Sequence, residues 1–188
     1  GNQHTEGSLS TIGHKSITEY SPYVTLSQNL FSGSLTLNGG LRMANSDKFG
    51  TQWIPQCGFS LHSAGVWAFK ASVAKGYRNP SFRELYLYRT ANPDLAPEQM
   101  TNCEATLSIN LYNNLKATLT AYYSEGDNLI QTVAMKNVNT GSFRNKGIEA
   151  SATMQLMRSL AVRASYSYMH TSLDNLVAAP ANQFFASV

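Results

Sequence analysis

Apolar and polar side chains alternate, residue by residue, through eight segments of this 188-residue chain. In residues 101–111, for example, Ala105 and Leu107 alternate with Glu104 and Thr106. This period of two is typical of a β-strand with one apolar and one polar face. Because a slip of one residue would exchange the two faces, the register of such strands is strongly limited. We therefore predict an all-β fold, an antiparallel up-and-down meander of about eight strands.

The predicted strands are joined by connections that alternate between short and long. The strands cover residues 17–28, 34–44, 52–62, 65–75, 101–111, 115 onward, 143–156 and 160–169. The short connections are 31–33, 63–64, 113–114 and 157–159, and the longer ones are 45–51, 76–100, 125–142 and 170 onward. Bacterial outer-membrane barrels have short periplasmic turns and long extracellular loops. The pattern therefore predicts a transmembrane β-barrel whose long connections lie outside the cell.

The composition favours a membrane barrel over a soluble β-sandwich. Only 13% of the residues are charged, compared with about 25% in typical soluble domains. No apolar run approaches the roughly 18 residues of a membrane helix, and the mean hydropathy of −0.24 is near neutral, as alternating strands require. Four tyrosines are candidates for the aromatic girdle at the membrane interface: Tyr122, Tyr123, Tyr166 and Tyr168.

Other kinds of site find little support in the sequence. The net charge of +3 and the lack of a basic run give no indication of nucleic-acid binding. Cys57 and Cys103 lie in the third and fifth predicted strands, too far apart for a disulfide. His62 and His170 lie at opposite ends of their strands, so we expect no metal site. Since no catalytic or nucleotide-binding motif is found, we also expect no cofactor and no enzyme activity.

The connection 76–100 carries a distinctive pattern of prolines, arginines and acidic residues. It contains Tyr77-Arg78-Asn79-Pro80 and Glu84-Leu85, followed by Asn92-Pro93-Asp94-Leu95 and Pro97-Glu98. These residues resemble the mid-barrel signature of TonB-dependent outer-membrane receptors. Asn145-Lys146-Gly147-Ile148-Glu149 is similar to the Gly-hydrophobic-Glu element that opens a later strand in that family. The resemblance is carried by Tyr77, Arg78, Pro80, Glu84, Leu85, Asn92, Pro93, Leu95, Pro97, Glu98, Gly147 and Glu149.

The resemblance implies a transporter in the outer membrane of a Gram-negative bacterium. Members of the family import a scarce nutrient, such as an iron-siderophore or cobalamin. Their barrels have about 22 strands and a plugged lumen, and TonB supplies energy through the plug. Neither the plug nor the remaining strands can be located here, so we interpret residues 1–188 as a partial β-barrel domain. The expected partners are the TonB complex, a small nutrient and outer-membrane lipid.

Haem is the less favoured nutrient. Haem receptors of the family have a His that ligates iron between two boxes that resemble Tyr77-Arg78-Asn79-Pro80 and Asn92-Pro93-Asp94-Leu95. In this chain no His lies between the boxes, and Asn79 stands where Ala is usual. An axial ligand is the main hold of a protein on haem iron, so its absence here counts against haem.

The same connection provides the candidate ligand contacts. Arginine binds carboxylates and phosphates well, so an anionic or aromatic ligand is one interpretation. The candidates are Tyr77, Arg78, Arg83, Tyr86, Tyr88 and Arg89. The alternative, which we favour, is that the connection packs on itself, with Arg78 and Glu84 as an internal ion pair.

Two other functions stay open on the sequence alone. Eight strands can close around a filled interior, so a complete small barrel with a structural or adhesive role is one alternative. A barrel enzyme that modifies lipid is another, although no residue indicates a catalytic site. The motif in 76–100 favours the receptor, because a small barrel has no reason to contain it.

Overall fold

A computed structural model describes residues 2–9, 13–63, 65–111, 114–173 and 182–187, and these are mostly antiparallel strands. In chain order the elements are β1 (Asn2–Leu9), β2 (Gly13–Tyr20), β3 (Tyr23–Leu30), β4 (Leu35–Ser46), β5 (Gly50–Ser63), β6 (Trp67–Arg78), α1 (Phe82–Tyr86), β7 (Glu98–Leu111), β8 (Leu115–Asp127), β9 (Ile130–Val133), β10 (Lys136–Asn139), β11 (Ser142–Met157), β12 (Leu160–Leu173) and β13 (Asn182–Ser187). A 3-10 turn, Phe31–Gly33, joins β3 to β4. The all-β prediction is confirmed.

The long strands form one antiparallel meander. Their order is β1-β2-β4-β5-β6-β7-β8-β11-β12-β13, and β3 also pairs with β4. The two short strands β9 and β10 pair only with each other, as a separate hairpin between β8 and β11. Apart from β3, which pairs only with β4, and the separate β9–β10 hairpin, each strand of the sheet pairs with the strands before and after it in the chain, which confirms the up-and-down topology.

The strand predicted at 17–28 is bent in two at Ser21 and Pro22, so its predicted continuity is wrong. β3 pairs with β4 over its whole length, whereas β2 meets β4 only through its last two residues and otherwise pairs with β1. Proline has no N–H to donate to a ladder, although the carbonyl of Pro22 still accepts from the N–H of Met43 at 3.0 Å. The bend sends β2 away from β4 to form a hairpin with β1.

The apolar face of the sheet is uncovered. Ala105 lies opposite Ala71 on one neighbouring strand and Ala121 on the other, so apolar positions share a face. On this face Leu119 and Ile148 are 49% and 48% exposed. The buried apolar residues of the described chain are Ala44, Leu85 and Leu95. A soluble sheet would cover such a face, whereas a barrel wall presents it to lipid.

Tyr122 lies on the polar face, so its prediction as a girdle residue is wrong. Its cross-strand neighbour on β11 is Gly147, which is buried. A Cβ at Gly147 would lie 2.5 Å from both the Tyr122 hydroxyl and the backbone oxygen of Tyr168. Only glycine fits there, which gives this motif residue a packing role. Tyr123, Tyr166 and Tyr168 have the opposite parity, lie on the apolar face and stay girdle candidates.

The two cysteines lie on the same face but are separated by a strand. Cys57 on β5 and Cys103 on β7 are both register partners of Val73 on β6. Both are free thiols, which confirms that no disulfide joins them.

Long and short connections lie at opposite ends of the sheet. Residues 79–97 join β6 to β7 and contain α1, and residues 128–141 contain the β9–β10 hairpin, as the predicted long connections require. The connection predicted as long at 45–51 contains only residues 47–49, because β4 and β5 extend further than the alternation indicated. Residues 170–173 belong to β12, and the connection that follows lies outside the described residues. No helix within the described ranges has the length and apolarity to cross a bilayer.

Candidate functional site

Three connections pack together at one end of the sheet, and we call them the loop cap: residues 47–49, 79–97 and 128–141. The cap has a small core of its own, since Leu85 and Leu95 are 0% and 3% exposed. Both belong to the family motif, so at least part of that motif encodes packing.

Arg78 is the centre of the cap's polar structure. Its guanidinium donates to Glu98 through Nε at 2.7 Å and Nη2 at 2.9 Å. It also donates to Glu84 through Nη1 at 3.0 Å and Nη2 at 3.2 Å. The predicted ion pair between Arg78 and Glu84 is confirmed, and Glu98 is a second partner that the sequence did not reveal. We call these three side chains the arginine lock.

Helix α1 begins at a capping box that fixes one side of the lock. The Ser81 hydroxyl accepts from the N–H of Glu84 at 3.3 Å, and Glu84 Oε2 accepts from the N–H of Ser81 at 2.7 Å. Such a box satisfies two backbone donors that a helix start leaves free. Pro80 precedes the cap residue, where a missing N–H has no cost to the helix. The pattern Ser81-x-x-Glu84 is a sequence signal that could have predicted this helix.

The lock lies beyond the membrane-spanning part of the strands. A strand needs about 9–11 residues to cross a bilayer, and Arg78 is the last of the 12 residues of β6.

Hydrogen bonds from Arg78 lower the pKa of Glu98. Burial opposes ionisation of Glu84, but bonds from Arg78 and Ser81 outweigh it, so its pKa is lowered too. The same bonds, those to Glu98 first, raise the pKa of Arg78.

The second connection, 128–141, is docked on the first through asparagines. Asn92 donates through Nδ2 to the backbone oxygen of Asn137 at 2.8 Å, and Asn137 donates through Nδ2 to the backbone oxygen of Glu84 at 3.2 Å. These asparagines are 8% and 7% exposed. Glu98 Oε1 also accepts from the N–H of Ile130 at 2.8 Å. The lock therefore holds both long connections.

The short connection 47–49 contributes a lysine. Lys48 donates to the backbone oxygen of Pro93 at 2.9 Å. Its ammonium also lies 5.4 Å from the centre of the Tyr86 ring and 5.8 Å from that of Phe49. Cation–π contacts at these distances are attractive, so Lys48 joins the third connection to the cap.

A second polar cluster surrounds Glu19 at the β2–β3 bend. Its carboxylate accepts from Ser21 at 2.7 Å, Asn79 at 2.7 Å and Arg42 at 3.3 Å, and from the hydroxyl of Tyr77. Asn79, which replaces the usual Ala of haem receptors, thus ties the start of the long connection to the bend. The side chain of Glu19 is 15% exposed, so this cluster is partly screened from water.

The structure sorts the six candidate ligand residues into two groups. Tyr77 and Arg78 are engaged with acidic side chains, and the Tyr86 ring packs 5.0 Å from that of Phe82. The other three are exposed at the surface of the connection: Arg83, Tyr88 and Arg89. Arg83 lies over the Tyr88 ring, with its Cζ 4.7 Å from the ring centre.

The carboxylates are also shared unevenly among the three arginines of residues 76–100. Glu84 and Glu98 both turn toward Arg78. Within the described part of the chain, neither Arg83 nor Arg89 has a carboxylate within 4.0 Å. Self-packing therefore accounts for both carboxylate contacts of Arg78, whereas Arg83 contacts only the Tyr88 ring and Arg89 has no carboxylate partner among the described residues.

An antiparallel meander with an uncovered apolar face and structured loops at one end is the wall of a transmembrane β-barrel. The family described as "TonB dependent receptor-like, beta-barrel" matches residues 2–187. The chain therefore belongs to the TonB-dependent receptor family of Gram-negative outer-membrane proteins, and its sheet is part of a larger barrel.

Several relatives are transport or iron-regulated proteins. The chain is 24% identical, over 89% of its length, to the iron-regulated outer membrane virulence protein of Vibrio cholerae, and covers 29% of that protein. It is 32% identical over 49% of its length to the vitamin B12 transporter BtuB of Photobacterium profundum, covering 15% of it. The siderophore receptor PirA from Pseudomonas aeruginosa superposes with a TM-score of 0.76 at 21% identity, over 86% of this chain and 33% of that one.

Family membership favours the receptor among the functions that the sequence left open. The relatives are receptors and transporters rather than enzymes, which disfavours a barrel enzyme that modifies lipid. The chain spans less than a third of the length of the curated relatives it matches. The family match and the structural similarity favour a receptor barrel over a small barrel with a structural or adhesive role.

Proposed function

We propose that this chain forms part of an outer-membrane receptor that binds and imports a scarce nutrient, with energy supplied by TonB. The nutrient class is an iron-siderophore, cobalamin or a similar molecule. The loop cap carries this proposal, because the family motif builds a hydrogen-bonded outer structure on which Arg83, Tyr88 and Arg89 are exposed. Relatives that are siderophore and vitamin B12 proteins support the nutrient class.

Residues 1–188 would then be a partial barrel domain, and a plug elsewhere in the receptor would couple it to TonB. The polar face supports such a neighbour. It carries five exposed charged residues, Lys70, Glu104, Lys116, Glu149 and Arg163. Within the described residues none of these five forms an ion pair with another. They do not neutralise one another by direct contact, so a plug inside the lumen is a natural source of their partners.

Within the loop cap, the proposed roles are divided between support and contact. Arg78, Tyr77 and Tyr86 hold the connection in place through the contacts described above. Arg83, Tyr88 and Arg89 would then meet the ligand as it approaches from outside. Preorganised side chains bind more tightly because less ordering is needed on binding.

A growth experiment tests the proposal. The gene for the whole receptor is deleted from its host, and iron-limited growth is followed on separate siderophores and on haem, with cobalamin-dependent growth measured in parallel. We expect loss of growth on one siderophore or on cobalamin, restored by the wild-type gene in a tonB⁺ strain but not in a tonB-null strain. Unchanged growth on every nutrient, or restoration without TonB, would contradict the proposal.

A further inference from the structure

Ionisable side chains on the apolar face of the sheet are confined to its outer end, the end that carries the loop cap. The register of β6, β7, β8, β11 and β12 places six of them there: Lys75, Glu125, Asp127, Arg144, Lys146 and His170. At the opposite end, beside the short turns, the same face of these strands carries apolar residues such as Trp67, Leu111 and Met154. Since this face meets lipid, the two leaflets of the membrane contact chemically different surfaces.

Arg144 and Lys146 lie where β11 leaves the hydrocarbon. The strand has 16 residues, Ser142–Met157, and about 9–11 residues are enough to cross a bilayer. Counted from the short turn at its inner end, the crossing part ends at about residue 147. Residues 142–146 therefore lie at the level of the outer headgroups. Both cationic side chains are exposed, and both share the lipid-facing side with Ile148 because side chains alternate along a strand.

The carboxylates of this face do not pair with the two cations. Glu125 on β8 is the register partner of Arg144, but its Oε2 accepts from the hydroxyl of Tyr123 at 2.7 Å. Asp127 lies one step further out, opposite Ser142. Among the described residues, no carboxylate lies within 4.0 Å of Arg144 or Lys146. These cations therefore present unpaired positive charge to the headgroups.

His170 extends the same cluster onto β12. It is the register partner of Lys146 and is exposed. We call Arg144, Lys146 and His170 the cationic rim.

A groove of small side chains lies on the same face, further into the membrane than the cationic rim. Its volume is about 450 Å³. Ala150 is four residues inward from Lys146, or about 13 Å along the strand, which is within the roughly 15 Å depth of one hydrocarbon leaflet. A lipid with its headgroup at the rim thus has its acyl chain beside the groove. The side chains that line the groove include Leu107, Leu119, Ala150, Ala152, Ala164 and Tyr166.

We propose that the cationic rim binds the phosphate of a phosphorylated lipid in the outer leaflet, and that one acyl chain of this lipid lies in the groove. The phosphate supplies the anionic partner that Arg144 and Lys146 lack. Long basic side chains at a membrane boundary extend their charged ends toward the headgroups, which suits this contact. The site does not depend on the nutrient, so it goes beyond the proposed function.

The test uses the purified full-length receptor in detergent and two probes, bisphosphorylated lipid A and the same lipid with both phosphates removed. Native mass spectrometry measures the fraction of receptor that carries each lipid. We expect the phosphorylated form to bind about tenfold more tightly, because two exposed ionic contacts each contribute about threefold. Inorganic phosphate at the same concentration should leave the lipid bound, because it has no acyl chain to fill the groove.

Variants separate the rim from the groove. Arg144→Gln and Lys146→Gln should each weaken binding of the phosphorylated lipid about threefold and leave binding of the other form unchanged. Lys146→Arg keeps the charge and should stay within about twofold of the wild type. Ala152→Phe fills the groove and should weaken binding of both lipids. The matched control is Lys116→Gln, an exposed cation on the polar face of β8, which should change neither.

Several results would overturn the lipid site. Equal binding of the two lipids to the wild type, or unchanged binding in both Gln variants of the rim, would remove the role of the phosphate. Displacement of the lipid by an equal concentration of inorganic phosphate would leave only a site for a free anion. Wild-type binding by Ala152→Phe would exclude the groove. A receptor dimer that lipid does not dissociate, and that Ala152→Phe abolishes, would assign the groove to a second copy of the chain instead.

Discussion

Arg78 and Glu98 are the last register pair of the β6–β7 ladder, and their side chains are joined by hydrogen bonds of 2.7 and 2.9 Å. The same guanidinium binds Glu84 in α1, and Glu98 binds the N–H of Ile130 in the next connection. One arginine at the end of a strand therefore sets the arrangement of both long connections.

Replacing Arg78 with Gln should loosen the loop cap before it affects ligand preference. Two carboxylates would lose their partner, at a cost of about 1–2 kcal/mol; the value is modest because the arginine side chain is 47% exposed. Hydrogen exchange in residues 79–97 and 128–141 of the full receptor should become faster. Arg83→Gln is the control, since none of the described carboxylates lies within 4.0 Å of that side chain. Equal exchange in the Arg78 variant and the wild type would contradict the role of the lock.

The loop cap should be lost on acidification. The pKa values of Glu84 and Glu98 are lowered in the folded state, so the lock contributes its full stability above the unfolded value of about 4.3. This stability is lost as the pH falls through the lowered folded values. Protease resistance of the cap should thus be constant from about pH 6 to 8 and fall below about pH 4. In Glu98→Gln this acid-dependent step should shrink, and a step of unchanged size would exclude Glu98 as its source.

Gly147→Ala should destabilise the barrel wall. The added Cβ would lie 2.5 Å from both the Tyr122 hydroxyl and a backbone oxygen, and the backbone oxygen cannot move away freely. Overpacking of this kind costs about 1–3 kcal/mol, which thermal unfolding of the receptor would show as a lower midpoint. Gly39→Ala is the matched control on β4, where an added Cβ meets no atom within 4 Å. Equal midpoints for the two variants would refute the packing role of Gly147.

Asn92→Ala should separate the two long connections. The side chain of Asn92 donates to the oxygen of Asn137 and accepts from the N–H of Asp94 at 3.1 Å. Loss of these buried bonds costs about 1–3 kcal/mol, so residues 128–141 should be cleaved by protease more quickly. Asp94→Asn, in the same motif box, keeps the backbone bond and should behave as the wild type. If both variants resist protease equally well, Asn92 does not hold the connections together.

The alternation was sufficient to predict the long strands because each has one apolar and one polar face. It failed where that condition is absent. β1 has the almost wholly polar sequence NQHTEGSL, and β9 and β10 have four residues each. Their hairpin turns at Ala134 and Met135, which have positive φ values of 48° and 62° without the glycine or asparagine that would signal such a turn. The alternation of apolar and polar residues continues through the bend at Pro22, so the period of two alone could not reveal that bend.

The site was predictable only where its contacts are local in sequence. Arg78 and Glu84 are six residues apart, and opposite charges within one connection indicated their pairing. The register of β6 and β7 places Glu98 beside Arg78. Asn137 meets Asn92 because their two connections pack together, although the residues are more than forty positions apart in the sequence. Such long-range contacts depend on tertiary packing. The burial of both asparagines likewise follows from tertiary packing.

The most direct test of the receptor function is energy-dependent uptake of a radiolabelled ferric siderophore by cells that express the whole protein. We expect uptake that saturates with concentration, stops in a tonB-null strain, and falls when Arg83 and Arg89 are both replaced with Gln. Binding at the cell surface should persist without TonB, because only import requires energy. Uptake that continues at the wild-type rate without TonB would contradict the assignment of this chain to an actively transporting receptor.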